Sequence, residues 1–183
     1  MSSDFRPGLL GTPQSAWPLQ TSLTRPSQKM TVVAFIHPKC TCTGATVNHL
    51  VHCLKGRPDI HLVVSVFVPS GIPEPEMEAW RNGEHVKTLR AALPKTTFYY
   101  DEGGVEARRF GALTSGTLLA YEPRGLEVFR GGITNRRGGE QDNPALRRFV
   151  GVLKNKQPAG AAACTPVFGC PLVKSEKPGD STP

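Results

Sequence analysis

Two mostly apolar runs in the first half of the chain have the pattern of buried β-strands. Residues 30–36 (MTVVAFI) and 60–68 (IHLVVSVFV) are rich in β-branched side chains, which is typical of central strands that are buried on both faces. Between them, over residues 42–55, apolar side chains recur at the i, i+3, i+4, i+7 spacing of an amphipathic helix. Pro38 cannot donate a ladder hydrogen bond, so the first strand ends before it. The pattern therefore predicts a β-α-β unit.

The remaining pattern extends this unit into a larger α/β domain. The further predicted elements are, in chain order, a helix over 76–93 with a weak point at Gly83, a strand over 96–100, a short helix over 105–110, strands over 117–121 and 126–133, and a helix that follows an Asn143-Pro144 cap. Parallel crossovers followed by an antiparallel hairpin and a closing helix predict a three-layer α/β/α sandwich around a central mixed sheet.

The ends of the chain differ from this patterned middle. With 183 residues, the chain is long enough for one domain with additional terminal segments. Residues 1–29 are rich in Pro, Ser, Thr and Gly, and predict an extended N-terminal segment. Residues 157–183 are rich in Pro, Ala and Gly, and predict an irregular tail that carries two cysteines. We therefore expect the α/β domain to span residues 30–156.

Composition and charge narrow the classes of function. A hydrophobic content of 38% and a charged content of 20% indicate a globular protein. The net charge is +7, but no basic run is interleaved with aromatic residues, so we expect a solvated basic surface and no nucleic-acid partner. No segment approaches the roughly 20 apolar residues that span a bilayer, and residues 1–28 have no signal-peptide pattern. As written, the chain is expected to be cytoplasmic; if an N-terminal anchor has been removed, the expected location is periplasmic or membrane-anchored.

Five cysteines indicate redox or metal chemistry more than a disulfide scaffold. Cys40 and Cys42 lie where the first strand turns into the first helix. Unpaired N–H groups and the helix dipole lower the pKa of a thiol at a helix N-terminus. We therefore predict that Cys40 is an attacking thiolate and that Cys42 resolves the mixed disulfide, in a tight ring that is easy to reduce. The expected partners are protein or small-molecule thiols and disulfides, and no cofactor is expected.

Other chemistries remain open for the same turn. His37, Cys40 and Cys42 offer imidazole and thiolate ligands that suit copper or zinc, which would make the protein metallochaperone-like. A peroxidase, in which Cys40 is oxidised to sulfenic acid and resolved by Cys42, is a third hypothesis, although the sequence has no Thr-x-x-Cys peroxidase turn. The simplest alternatives are two inert buried cysteines and a His37 that bonds only to backbone.

The predicted topology brings two further segments to the edge of the sheet where Cys40 lies. Thr114, Ser115 and Gly116 precede the first hairpin strand, and the loop 131–142 follows the second. Within that loop, Arg137 is a candidate for stabilising a thiolate or binding an anionic substrate, although the pattern favours a cluster of ion pairs on the loop surface.

Cys164 and Cys170 lie in the predicted tail. The apolar pair Val167 and Phe168 between them predicts that the tail docks back onto the domain. We hypothesise that the two tail cysteines form a second thiol pair that exchanges electrons with Cys40 and Cys42. A local tail disulfide or two free thiols are the alternatives.

Several of these stretches together resemble one family. Residues 35–42 (FIHPKCTC) carry a His-Pro-x-Cys-x-Cys turn, and Thr114-Ser115-Gly116 precedes a Leu-Leu strand. The further matching stretches are Trp17-Pro18, residues 129–134 (FRGGIT), Arg137-Gly138, residues 141–143 (QDN) and residues 166–172 (PVFGCPL). In this combination, the chain is similar over most of its length to the RedB-type redoxin-like proteins of the thioredoxin-fold superfamily.

This resemblance implies a thioredoxin fold and a thiol redox role. Two features depart from ordinary thioredoxins: the cysteine spacing is Cys-x-Cys, and Ser115-Gly116 stands where thioredoxins place a cis-proline. The missing proline leaves more room near the thiols, for a metal or for a tail cysteine. Many members of the group begin with a membrane anchor, a pattern that residues 1–28 do not have.

Overall fold

A computed structural model of the protein describes residues 6–154 and 162–173. Its elements are, in chain order, β1 (Met30–Ile36), α1 (Thr43–Leu54), β2 (Ile60–Val68), α2 (Glu74–Arg81), α3 (Glu84–Ala92), β3 (Thr97–Glu102), α4 (Val105–Arg109), β4 (Thr117–Tyr121), β5 (Glu127–Gly131), α5 (Pro144–Leu153) and β6 (Ala163–Cys164). The two apolar runs form β1 and β2 with the predicted bounds. In the described parts of the chain, no helix is both long and apolar enough to cross a membrane.

The strands form one mixed sheet in the order β3-β2-β1-β4-β5-β6. β2 pairs in parallel with β1 and with β3, whereas β4 runs antiparallel to β1 and β5 antiparallel to β4. This arrangement confirms the predicted α/β architecture and is a thioredoxin-like fold. Because Phe35 pairs with Thr117, and Leu118 with Gly131, the end of β1, the start of β4 and the end of β5 meet at one edge of the sheet.

Apolar side chains cover both faces of the sheet and make the three layers. On one face, side chains of α1, α3 and α5 pack against β1, β2, β4 and β5. On the other face, α4 packs together with residues from both terminal segments, which include Leu23 and Leu172. The terminal segments therefore complete the second helical layer.

The helix predicted over residues 76–93 is divided at Gly83, the position that the sequence marks as weak. Gly83 has extended backbone angles and precedes α3 as its N-cap. A Cβ atom at Gly83 would lie 2.8 Å from the Cβ atom of Pro38. The helix is therefore interrupted at Gly83, where the start of α3 approaches the segment that follows β1 closely.

The N-terminal segment is held to the domain by an aromatic contact and a strand bridge. The Trp17 ring packs edge-on against Phe110 and Tyr121, with ring centroids 5.3 and 5.0 Å away. Ala16 forms an antiparallel bridge with Leu126.

The described part of the predicted irregular tail contains a short strand. β6 pairs in parallel with β5 at the edge of the sheet. The N–H of Thr165 then donates to the carbonyl oxygen of Arg130 at 3.0 Å. A two-residue strand has no periodicity to reveal it in the sequence; it forms because β5 offers unpaired ladder groups at its outer edge.

Candidate active site

The turn that contains Cys40 and Cys42 joins β1 to α1, as the sequence predicts. The Cys40 N–H donates to the His37 carbonyl oxygen, and the Thr43 N–H donates to the Cys40 carbonyl oxygen, each at 3.0 Å. The N-cap of α1 is Cys42, which makes no side-chain cap hydrogen bond. The helix therefore begins without a hydroxyl cap, and the Thr43 hydroxyl bonds elsewhere.

Groups from three residues act on the thiol of Cys40. Hydrogen bonding from Cys170, from the Thr43 side chain and from the backbone of Cys42 favours its thiolate. Cys40 is almost completely buried, with 1% of its surface exposed. Burial by itself raises the pKa of the Cys40 thiol, but the hydrogen bonds favour the charged form and hold the pKa below its ordinary value. The site is therefore arranged for a thiolate at Cys40.

The Thr43 hydroxyl belongs to a chain of hydrogen bonds with two further polar groups. Thr43 Oγ1 lies 2.7 Å from Ser115 Oγ, and Ser115 Oγ accepts a hydrogen bond from the His37 N–H at 2.8 Å. In the contact between the two hydroxyls, either oxygen can be the donor. The sequence predicts Ser115 at this edge but not this use of Thr43, since a threonine at a helix start has the same pattern as a cap.

Residues 165–173 cross the edge of the sheet beside the turn, and we call them the docked tail. Thr114 forms an antiparallel bridge with Pro171, and the Ser115 N–H donates to the Cys170 carbonyl oxygen at 2.8 Å. Thr114 and Ser115 therefore hold the tail by their backbone, in the way that a strand edge binds an extended peptide.

The docked tail is packed closely against the domain. Val167 and Leu172 are buried. A Cβ atom at Gly169 would lie 2.0 Å from the Ser115 carbonyl oxygen, so only glycine permits this approach. Gly116 has a φ of +90°, which also favours glycine. The space that the sequence predicts around Ser115-Gly116 is thus taken by the tail.

The thiol of Cys170 is held in its protonated form beside Cys40. Burial, the hydrogen bond to Cys40, and the charges of Cys40 and Cys42 raise the pKa of Cys170 to about 12, while Arg137 acts in the opposite direction. In the reduced site, these effects favour the negative charge on Cys40 and the proton on Cys170. The start of the loop 131–142 lies beside the tail, since the Gly132 N–H donates to the Pro166 carbonyl oxygen at 3.2 Å.

The tail cysteines occupy different environments. Cys164 is exposed in β6, where its thiol donates to the Ala162 carbonyl oxygen at 3.7 Å. The structure thus brings Cys170, and not Cys164, to Cys40. None of the five cysteines, all of which lie in described residues, is part of a disulfide.

The His37 ring packs within an aromatic cluster. Its ring stacks on Phe67 at 5.4 Å and meets Trp80 edge-on at 5.1 Å. Burial lowers the pKa of His37. Within residues 6–154 and 162–173, no group of three or more His, Cys, Asp and Glu side chains is close enough together to hold a metal ion. The predicted ligand set of His37 with the two cysteines of the turn is therefore not assembled.

A groove of about 430 Å³ opens beside the turn, between α1 and α3. Lys39, Thr41 and His85 are among the residues that line it. His85 Nε2 lies 2.9 Å from the Cys40 carbonyl oxygen, a contact that fixes α3 to the turn. Sequence reasoning missed His85, because no local pattern connects it with Cys40.

Comparisons with known proteins concern the fold. No protein-family model and no curated protein matches the chain. The structure is similar to that of a hypothetical protein from Sinorhizobium meliloti 1021, with a TM-score of 0.57 and 15% identity over 92% of this chain and 99% of that chain. It is also similar to an uncharacterized conserved protein from Geobacillus kaustophilus, with a TM-score of 0.54 and 16% identity over 94% of each chain. A secreted disulfide oxidoreductase from Mycobacterium tuberculosis has a TM-score of 0.46 and 14% identity over 70% of this chain and 82% of that chain.

Proposed function

We propose that the protein is a thiol-disulfide oxidoreductase of the RedB type, with Cys40 as the attacking thiolate and Cys42 as the resolving thiol. The observation that supports this best is the position of the buried Cys40 at the start of α1 beside Thr43 and Cys170, where hydrogen bonding lowers the pKa of its thiol. Hydrogen bonds that lower a thiol pKa increase the fraction of thiolate, which is the nucleophile in disulfide exchange. An inert core cysteine needs no such hydrogen bonding.

The exchange balances in two steps. The Cys40 thiolate attacks one sulfur of a protein or small-molecule disulfide, forms a mixed disulfide and releases the other sulfur as a thiolate. Cys42 then loses its proton and attacks the Cys40 sulfur, so that a Cys40–Cys42 bond forms and the second substrate sulfur leaves. The substrate gains two electrons and two protons overall, and the two cysteines are oxidised.

Access to Cys40 depends on the docked tail. Cys40 is buried and lies beside the free thiol of Cys170, whereas Cys42 is only half-buried. A substrate disulfide therefore reaches Cys40 after the tail has moved aside, while the groove beside Thr41 accommodates the neighbouring part of the substrate.

Turnover of a coloured aromatic disulfide, with dithiothreitol as the electron donor, tests this function. Cys40→Ser is expected to abolish turnover, and Cys42→Ser to slow it and to accumulate a mixed disulfide on Cys40 that is visible by mass spectrometry. Cys53→Ser is the matched control, because Cys53 lies near the end of α1 and packs against the core. Wild-type activity in Cys40→Ser would reject the proposal.

A further inference from the structure

The third sulfur at the site belongs to a segment that the domain binds by its backbone. The Cys170 carbonyl oxygen accepts the Ser115 N–H at 2.8 Å, and hydrogen bonding from Cys170 favours the thiolate of Cys40. Leu172 continues the pairing by donating to the Leu113 carbonyl oxygen at 2.9 Å. The backbone of the domain thus holds Cys170 beside Cys40.

The tail backbone next to Cys170 is also tightly constrained. Gly169 approaches the Ser115 backbone too closely for any Cβ atom. The Thr165 hydroxyl donates to the Gly132 carbonyl oxygen at 2.6 Å, and the Gly132 N–H donates to the Pro166 carbonyl oxygen at 3.2 Å. Together with the hydrogen bond of Leu172, these contacts hold the tail on both sides of Cys170.

We propose that Cys170 is a third redox thiol, which displaces Cys42 from the Cys40–Cys42 disulfide. The oxidised protein then contains a Cys40–Cys170 disulfide. The inference rests on the proposed function, since an external disulfide first oxidises Cys40 and Cys42. Cys42 is thereby released from the strained Cys-x-Cys ring and returns to the half-exposed start of α1 as a free thiol.

The exchange needs no further oxidant. The Cys170 sulfur attacks the Cys40 sulfur, the Cys40–Cys42 bond breaks as the Cys40–Cys170 bond forms, and Cys42 leaves as a thiolate. The proton that Cys170 loses passes to solvent, and the half-exposed Cys42 takes one up. Two sulfurs are oxidised before the step and two after it, so no electrons are gained or lost.

The charges of the site make this attack conditional on oxidation. While Cys40 is a thiolate, its hydrogen bond and its charge help to keep Cys170 protonated and unreactive. A Cys40 sulfur in a disulfide carries no charge and accepts no strong hydrogen bond, whereas Arg137 still favours a thiolate at Cys170. Cys170 thus becomes a better nucleophile when Cys40 has been oxidised.

Disulfide mapping of the full chain tests the inference. The reduced protein is mixed with one equivalent of oxidised glutathione, quenched at intervals with an alkylating agent, digested and analysed by mass spectrometry. We expect the Cys40–Cys42 linkage early and the Cys40–Cys170 linkage as the main final product, with Cys42 alkylated. Cys170→Ser is expected to stop at Cys40–Cys42, and Cys164→Ser, the matched tail control, to behave as wild type.

Two results would overturn the inference, and they differ in what they say about the proposed function. If the final wild-type product has Cys40 linked to Cys42 and Cys170 alkylated, the proposed role of Cys170 is rejected. Turnover of the aromatic disulfide would then persist, and the proposed function would stand. A wild-type protein with no linkage at Cys40 and no turnover rejects both proposals. The wild-type experiment is decisive by itself, even if a tail variant folds poorly.

Discussion

The hydroxyl oxygens of Thr43 and Ser115 lie 2.7 Å apart, next to the turn that contains Cys40. The pair connects the first turn of α1 to the loop that precedes β4, two segments far apart in the chain. Ser115 accepts the His37 N–H, and hydrogen bonding from Thr43 lowers the pKa of Cys40. The pKa of the Cys40 thiol therefore depends on residues from two segments that are far apart in the chain.

Thr43→Val removes the hydroxyl but keeps the branched shape of the side chain. We expect the pKa of Cys40 to rise, and its alkylation by iodoacetamide at pH 7 to slow by about tenfold or more, since a hydrogen bond to a charged group contributes about 1.5–3 kcal/mol. Thr43→Ser is expected to restore the rate because it retains a donor. Equal rates in the wild-type protein and Thr43→Val would show that the hydroxyl does not act on the sulfur.

Replacement of Cys170 separates its hydrogen bond from its redox chemistry. Cys170→Ala removes the side-chain donor to Cys40, whereas Cys170→Ser retains a hydroxyl donor. A lowered pKa means that the thiolate is present from a lower pH upward, so the midpoint of the Cys40 alkylation profile should move to higher pH in Cys170→Ala and stay near that of wild type in Cys170→Ser. The midpoint reports the pKa of Cys40 and not access to its sulfur. Cys164→Ala serves as the control. An unchanged midpoint in Cys170→Ala would show that the Cys170 side chain does not lower the pKa of Cys40.

Gly169→Ala tests how far the docked tail limits access to Cys40. Its new methyl group would lie 2.0 Å from the Ser115 carbonyl oxygen, and such overpacking costs about 1–3 kcal/mol. At a pH where Cys40 is fully ionised, we expect alkylation at least about fivefold faster than in the wild-type protein. In the control Gly44→Ala the nearest atom is His85 Cε1 at 3.6 Å, which is an ordinary contact; equal acceleration in both variants would mean that the tail does not restrict access.

Glu127 and Arg130 form a buried ion pair on β5, the strand on which the tail is anchored. Arg130 Nε and Nη2 donate to the Glu127 carboxylate at 2.7 and 2.6 Å, and both residues are buried. Glu127→Gln leaves the Arg130 charge without its partner, so we expect a loss of about 3–5 kcal/mol in the free energy of unfolding, measured in urea. Asp59→Asn, in the more exposed pair with Arg57, should cost less than about 1 kcal/mol, and a similarly small loss in Glu127→Gln would contradict the role of burial.

Local patterns in the sequence were sufficient for the main elements and for the position of the turn that contains Cys40 and Cys42. The bounds of β1 and β2 follow from their apolar runs. The start of α5 follows from Asn143, whose side chain accepts the Leu146 N–H at 3.0 Å. These features are readable because the interactions that fix them join residues close together in the chain. The same is true of Cys40 and Cys42, which are placed by the strand end on one side and the helix start on the other.

Only the tertiary structure decided which other groups meet at Cys40. Cys164 and Cys170 have the same candidate role in the sequence, yet Cys170 alone reaches the site, because Ser115 and Gly169 hold it there. Likewise, nothing in the local pattern separates Thr43 as a cap from Thr43 as a donor to sulfur. These outcomes depend on contacts between segments that are distant in the chain. Strand order, backbone pairing and close packing bring those segments together, and periodicity along the chain carries no information about these contacts.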